Sequence, residues 1–293
     1  MAVTIPTWAV NAFKDSVRHV LQETDFLFSG AVDIEVQEKE YDSYDYLGAV
    51  SFRDTESRHQ DTVLDEAEYL RRWCFTTERT YATLLDDKDI MNMLTSPMSK
   101  LVKAVVNGYN RKRNYVCATR FFSDVRTGKT PDTGTTSWST DTQVAVTFGN
   151  GSTAARLTLK KIIEANRIAD YYKWPVEGRY FGITSQQKSD LLNMSQIQSS
   201  EYNGVRALIN GQVDTWLGFH FVQCEDFTTD SSDYRECPFW HRDGFLFAEG
   251  RRLDIDISPR ADKNNSLQLL AKADMGSIRM EEKAVGKVLC SEA

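Results

Sequence analysis

Ile90 to Ser123 reads I-M-N-M-L-T-S-P-M-S-K-L-V-K-A-V-V-N-G-Y-N-R-K-R-N-Y-V-C-A-T-R-F-F-S and contains no Asp or Glu. It carries Lys100, Lys103, Arg111, Lys112, Arg113 and Arg120. Ser96 and Pro97 supply an N-cap and a first-turn proline. The spacing from there predicts a helix over Pro97 to Phe122, with Met98, Leu101, Val105, Gly108 or Tyr109, and Val116 on one face. Such a helix is about 38 Å long at 1.5 Å per residue. Gly108 weakens or bends it, and Tyr109 and Tyr115 are expected to pack inward.

Upstream, the charge reverses. Glu35, Glu38, Glu40, Asp42, Asp45, Asp54, Glu56, Asp61 and Asp65 crowd the stretch from Asp33 to Glu66, with few bases among them. Val32, Ile34 and Val36 alternate with acids, which predicts a strand. Tyr41 to Tyr46 alternates aromatics and acids, Gly48 offers a turn, and Val50 and Phe52 resume the pattern. Thr55 to Glu68 is nearly all polar and cannot bury much apolar area. Val36 to Phe75 therefore reads as a long, projecting two-stranded loop. A lone hairpin is marginal in water, so an ordered one needs a docking partner. An acidic extended arm beside a basic helix suits a protein that binds copies of itself better than one that binds a small substrate.

Farther out, Trp8, Val10, Phe13, Val17, Val20 and Leu21 recur at helical spacing after Pro6 and Thr7. Asp86 to Leu94 reads as a short helix. Thr127 to Thr142 is rich in Gly, Thr, Ser and Asp and reads as loop, and Asn150-Gly151 as a turn. Leu159, Ile162, Ile163, Asn166 and Ala169 predict a helix ending before Trp174-Pro175. Tyr180 to Ile183 reads as a strand, and Thr184 with Gln187 as a capping box opening a helix through Leu192. From Val205 the pattern is mostly strand, with a hairpin turn at Asn210-Gly211. Leu217 to Val222, Gly244 to Ala248, Leu253 to Ile257, Leu267 to Ala271, Met275 to Met280 and Val285 to Cys290 are its pieces.

Little here suggests catalysis. The 293 residues carry a net charge of -7, which argues against a general nucleic-acid binder, since phosphate neutralisation needs surplus Lys and Arg. The basic helix is thus assigned to a protein partner rather than DNA. Cys74, Cys117, Cys224, Cys237 and Cys290 show no C-x-x-C spacing and read as buried thiols. His19, His59, His220 and His241 are isolated, with no metal-ligand spacing. Gly128-Lys129-Thr130 resembles the end of a phosphate loop, but Ser123 stands where its first glycine belongs, and Pro131 argues for a surface loop. No G-x-S-x-G elbow and no calcium loop occurs. No catalytic, cofactor-binding or metal-binding residue is assigned. No stretch approaches the ~20 apolar residues of a membrane span, and Met1 to Pro6 lacks the pattern of a signal peptide.

With its elements in this order, the whole chain resembles a major capsid protein of tailed bacteriophages, the Hong Kong-97-type (Johnson) fold of the short-tailed branch. The run R-R-W-C-F-T-T-E-R-T-Y-A-T-L-L-D-D-K-D-I-M-N-M-L-T-S-P, Arg71 to Pro97, is similar to that family's approach to its peripheral domain. A-K-A-D-M-G-S-I-R-M-E-E-K-A-V-G-K-V-L-C, Ala271 to Cys290, resembles its returning strands. Arg113-Asn114 departs from it, standing where an acidic residue is expected. The resemblance implies an α+β fold with an N-terminal arm (1–35) and an extended loop (36–75). It also implies a peripheral domain (76–150 and 268–293) with a spine helix over 97–122, and an axial domain (151–267). It implies a non-enzymatic subunit that assembles into pentamers and hexamers of an icosahedral head around double-stranded DNA. The DNA would be touched only weakly, because a negative container lets it slide. A separate scaffolding protein and a portal are the other implied partners, with no membrane. The virion is the implied location, assembled in the bacterial cytoplasm. An encapsulin-like shell or a minor head protein keeps the same fold; a metal-dependent hydrolase acting through the acidic segment is the reading from another class. Trp8, Phe26, Phe28, Tyr44, Tyr46 and Phe52 are the candidate contact aromatics. Arg111, Lys112 and Arg113 are the candidate bases beneath a neighbour's acidic loop.

Overall fold

The computed structural model describes residues 24–48, 50–54, 58, 61, 64, 66, 68–85, 98–193, 215–263 and 265–292. The helices expected over Trp8–Leu21 and Asp86–Leu94, the Ser96–Pro97 cap and the Asn210-Gly211 turn lie outside the described residues. The acid-free stretch forms α1 (Met98–Arg120), as its spacing predicts. Val105, Val116 and Cys117 are buried along it, and Leu101 and Tyr109 half-buried. Tyr115, expected inward, is 46% exposed. It lies ~100° around the helix from buried Val116, and its ring meets Lys112 Nζ at 4.3 Å instead.

The first sheet is organised about β14 (Ser266–Arg279). The sequence pattern suggests two strands here. They are one, because Lys272, Ala273 and Asp274 go on pairing with Thr80, Arg79 and Glu78 of β4 (Thr77–Leu85). On the other edge of β14, β13 (Asp254–Arg260) pairs with its first half and β12 (Phe245–Glu249) with its second. β1 (Asp33–Val36), at the predicted strand, adds parallel to β12. α1 is fastened to this sheet where Ser277 Oγ donates to the Val116 carbonyl at 3.0 Å.

A six-stranded sheet follows the order β7 (Gln143–Val144), β15 (Val285–Cys290), β11 (Arg235–His241), β8 (Arg179–Ile183), β10 (Phe219–Gln223), β9 (Thr215–Trp216). α2 (Leu159–Tyr171) lays Ile162, Ala165, Ile168 and Ala169 into its core, the i, i+3, i+4 stripe of a surface helix. Lys173, at φ 58°, turns the chain out of α2 ahead of Pro175, with the Trp174 N–H bonded back to the Ala169 carbonyl at 2.9 Å. α3 (Ser185–Leu192) is opened by the Thr184–Gln187 capping box. The strand expected from Leu217 starts at Phe219. Leu217 (φ 49°) and Gly218 (φ 80°) are the two-residue turn joining β9 to β10, and two positive φ values in succession mark a type I′ hairpin.

The third sheet is β2 (Tyr41–Leu47), β3 (Tyr69–Phe75), β5 (Val125–Thr127) and β6 (Gly134–Thr136), all antiparallel. The expected two-stranded loop is thus broadened at its base into four strands. The supposed loop over Thr127 to Thr142 supplies one of them, plus a 3-10 turn at Thr140–Thr142. Threonine is β-branched and fits a half-buried strand, a preference that the neighbouring glycines conceal.

Two large cores result. One lies between α1 and the first sheet, where the Phe121 ring sits 4.2 Å from Phe245 and 4.6 Å from Trp240. The other lies under α2, around Trp174, Phe181, Phe219 and Phe239. Residues 285–290, expected in the peripheral part, sit within the six-stranded sheet, and 245–260, expected in the axial part, pair with β14.

Candidate assembly interface

The projecting limb is β2 and β3 with the segment between them. Tyr41 to Leu47 pair in register with Phe75 to Tyr69. Near its base Tyr41 packs on Trp73 and Phe75, and Trp73 Nε1 donates to the Gly128 carbonyl at 2.9 Å. Beyond that, among the described residues, the limb buries no apolar cluster of its own. Phe52, Leu64 and Tyr69 are among the most exposed large apolar side chains described. Not every carboxylate of the acidic stretch is offered outward. Arg71 grips Asp45 through two bonds of 2.6 and 2.7 Å within the hairpin, and this holds the Asp45 carboxyl below its ordinary range.

The limb's root is an ionic knot. Arg72 of β3 is buried, donating to both oxygens of Glu282 at 2.5 Å and to the Arg279 carbonyl at 2.9 Å. Arg279, fully buried at the end of β14, donates to the Phe121 and Ser123 carbonyls at 2.8 and 3.1 Å. These carbonyls follow the last turn of α1, where a cation is favoured. Burial above all, with the charge of Arg72, lowers the Arg279 guanidinium to about 10 against the opposing pull of Glu282. The knot joins the limb, α1 and the first sheet.

Between α1 and the β4–β14 face runs a groove of about 610 Å³. Leu101, Val105 and Ala271 line it with apolar surface, and Arg79, Arg111, Lys112 and Lys272 line it with positive charge. Among the described residues, no Asp or Glu lines it. Burial, then the charge of Arg120, pulls the Arg79 guanidinium below its ordinary range.

Arg113, expected among the partner-facing bases, turns inward. Its guanidinium lies 4.0 Å from the Phe26 ring centre and 3.5 Å from Glu249 Oε1, and its side chain is only 15% exposed. Glu249 also accepts from the Tyr109 hydroxyl. Arg113 therefore fastens α1 to the arm and to β12 and is not free for a neighbour. Phe28, expected at a contact, is a core residue against Phe121 and Trp240. Phe26 is half-buried on the same cluster. Tyr44 and Tyr46 are half-buried, donating to Gln37 and accepting from Arg72 respectively. Phe52 alone of the described candidates stands free of the protein's own surface, and Trp8 lies outside the described residues. Sequence reasoning missed Leu64, Tyr69, Arg79 and Lys272; the last two become neighbours only through β4–β14 pairing.

The remaining candidates are structural. His241 Nε2 donates to the Glu177 carbonyl at 3.0 Å, while its Nδ1 accepts from the Asp243 N–H at 3.3 Å. His220 is exposed beside the Tyr180 ring, and His19 and His59 lie outside the described residues. Gly128, at φ 103°, begins the turn from β5 to β6, so no helix follows Lys129. All five cysteines are buried, and none is in a disulfide.

An arm root, an extended limb, a spine helix and a six-stranded sheet define a shell-forming subunit of the Hong Kong-97-type fold. The chain matches the model of the phage capsid protein family over residues 5–292, and it belongs to that family. It is a major capsid protein of a phage head and a component of the virion. No curated protein matches it. Among solved structures it resembles the capsid of cyanophage P-SCSP1u, with TM-score 0.69 and 12% identity over 97% of this chain and 93% of that one. It also resembles the capsid of Ralstonia phage GP4, with TM-score 0.65 and 9% identity over 99% and 97%. A chain of Mycobacterium phage Che8 matches with TM-score 0.62 and 13% identity over 94% and 98%. At such identities these likenesses speak for the fold.

Proposed function

We propose that the subunit builds pentamers and hexamers of an icosahedral head around double-stranded DNA, with the limb of one copy lying in the α1 groove of the next. The observation that carries this is a pair of surfaces of complementary character. Phe52, Leu64 and Tyr69 stand in water on a limb bearing Asp54, Asp61 and Glu66, and the groove offers apolar floor and four bases. The aromatic and aliphatic side chains supply affinity. The charges set register, since one exposed ion pair is worth ~0–1 kcal/mol. The contact is heterologous, so it repeats around a ring. The work is association, with no catalytic step. A scaffolding protein and a portal complete the partners, assembly takes place in the bacterial cytoplasm, and the DNA is held only by weak, non-specific contact. In this reading the arm is 1–35 and the loop 36–75. The peripheral domain is 76–150 and 268–293, and the axial domain 151–267. Sheet membership favours exchanging 245–260 and 285–290 between the last two.

Reversing Arg111 and Lys112 together to Glu, and leaving Arg113 intact, tests the charge match. Like charges facing across a contact cost several kcal/mol, and each 1.4 kcal/mol is tenfold. Shell yield by sedimentation is expected to fall about tenfold or more, with the melting temperature of the free subunit unchanged. Wild-type shell yield from this variant contradicts the proposal.

A further inference from the structure

The third sheet turns one face to the body and the other to water. Alternation along β2 and β3 sends Tyr44 and Cys74 inward, where they pack with Val125 of β5 against Leu246 and Ile278. The opposite parity carries Tyr41, Ser43 and Asp45 outward beside their partners Phe75, Trp73 and Arg71, with Arg126 of β5 next to Trp73. In an antiparallel sheet packed on one side, the other side is where polar groups belong. Here it is aromatic. The Tyr41 ring lies 6.0 Å from Trp73 and 5.8 Å from Phe75. The Arg71 and Arg126 guanidinium groups lie 5.8 and 5.2 Å from the Trp73 and Phe75 rings. Tyr41 and Phe75 are still 48% and 39% exposed. Tyr, Trp and Arg together are the composition of a contact centre.

The charges of this face select its occupant. The strands carry three outward charges, Asp45, Arg71 and Arg126. Asp45 and Arg71 pair with each other at 2.6 Å, and Arg126 pairs with Asp132 at 2.7 Å. Both signs are present, each beside its opposite. DNA gains little from such a face, since neutralising phosphate takes surplus bases. The α1 groove is the contrasting case: Arg79, Arg111, Lys112 and Lys272 would repel a second groove, so it needs a different, acidic surface. The outer face of the third sheet meets a copy of itself without repulsion.

A closed head needs contacts that join one ring to the next as well as contacts within a ring. At a two-fold axis the two copies are related by a half-turn, and the same patch serves on both sides. Only a surface that tolerates itself can lie there. We infer that the outer face of the third sheet, centred on Tyr41, Trp73 and Phe75, is the contact across a two-fold axis and meets the same face of a second copy from a neighbouring ring. The inference rests on the closed-head reading and is independent of the limb-and-groove contact.

An isologous contact sets each residue near its own counterpart, which gives the test. Tyr41→Glu and Tyr41→Lys are made in the full-length protein, at an exposed position where the melting temperature is expected to stay unchanged. Each variant alone faces its own charge across the axis, and its shell yield is expected to fall at least tenfold. Every subunit has one partner across the axis, so an equimolar mixture can pair Glu with Lys throughout; its yield is expected to return to within about threefold of wild type. Wild-type yield from either variant alone overturns the inference, and so does a mixture that fails to recover. A second arm leaves the aromatics intact. Ser43→Cys and Thr135→Cys, made singly on the same face, are treated in assembled shells with a short bis-maleimide; the protein's own cysteines are all buried. Covalent dimer from at least one of them, absent from wild type, is the expected result. No dimer from either overturns the inference, as does equal labelling by a bulky maleimide in shells and free subunits, which would leave the face open for a different protein. Wild-type chain that gives no closed particles overturns the head reading and this inference with it. Regular particles whose third sheets do not cross-link overturn this inference alone.

Discussion

Glu282→Ala is expected to lower the melting temperature of the free subunit by about 10 °C and to abolish shells. Arg72 and Arg279 are both buried and both turn toward this carboxylate, at 2.5 and 3.9 Å. Asp124 adds a weaker pull on Arg279 than Glu282 does. Removing Glu282 leaves two cations facing each other with little water to screen them. Breaking a buried pair by deleting one partner costs about 3–5 kcal/mol; the lower end applies because Glu282 is 22% exposed. At ~2–4 °C per kcal/mol for a chain of this class, that is a shift on the order of 10 °C. Glu282→Gln keeps an oxygen acceptor without the charge and should fall between. The loss of shells has a separate cause: Arg72 belongs to β3, so the same change unlocks the limb from the body. Differential scanning calorimetry of the subunit and electron microscopy of assembly reactions read the two effects. A melting temperature within about 1 °C of wild type would show that the knot is not what holds the limb.

The elements most legible in the sequence were those specified locally. α1 announces itself through a proline-led, acid-free run with one apolar face, and α3 through a capping box within four residues. β1 and β15 follow from alternation. What stayed hidden was set by distant partners. β14 looks like two strands because Asp274 and Gly276 interrupt its apolar pattern, and only pairing with β4 and β12 keeps it whole. Arg113 looks like its neighbours Arg111 and Lys112, yet Phe26 and Glu249 close over it. Phe28 and Phe52 are both aromatics in polar surroundings. The first enters the core because the arm root is pinned by Asn114 and by the Trp240 Nε1 bond to the Ala31 carbonyl at 2.7 Å. The second stays in water because none of the described residues covers it. For the candidate interface, the sign of each charge block was readable, but the groove was not. Two of its four bases come from strands brought together only by the first sheet.

Gly276→Ala should be nearly as disruptive as loss of the knot, by a steric route. A Cβ built at Gly276 falls 2.3 Å from the Phe75 carbonyl oxygen, 3.1 Å from its carbon and 3.3 Å from Cys74 Sγ. The first two are backbone atoms and cannot rotate aside. β14 cannot yield easily either, since it is paired here with Ala248 on one edge and, at Met275, with Thr77 on the other. The movement therefore falls on Phe75 and Cys74, the end of β3 and the root of the limb. Overpacking of this kind costs ~1–3 kcal/mol, enough to lower the melting temperature by several degrees. Gly134→Ala is the control in the same sheet: its Cβ meets Thr127 at 3.4 Å, an ordinary contact, and should leave stability and shells near wild type. The larger consequence is angular. A methyl group wedged at the root tips the limb by the same amount in every copy. A heterologous contact that no longer closes a ring gives open or misshapen polymers. A Gly276→Ala subunit that melts like wild type and still yields regular particles would mean that the limb does not rest on β14 at this point. The root would then have to be sought in the Arg72 knot alone.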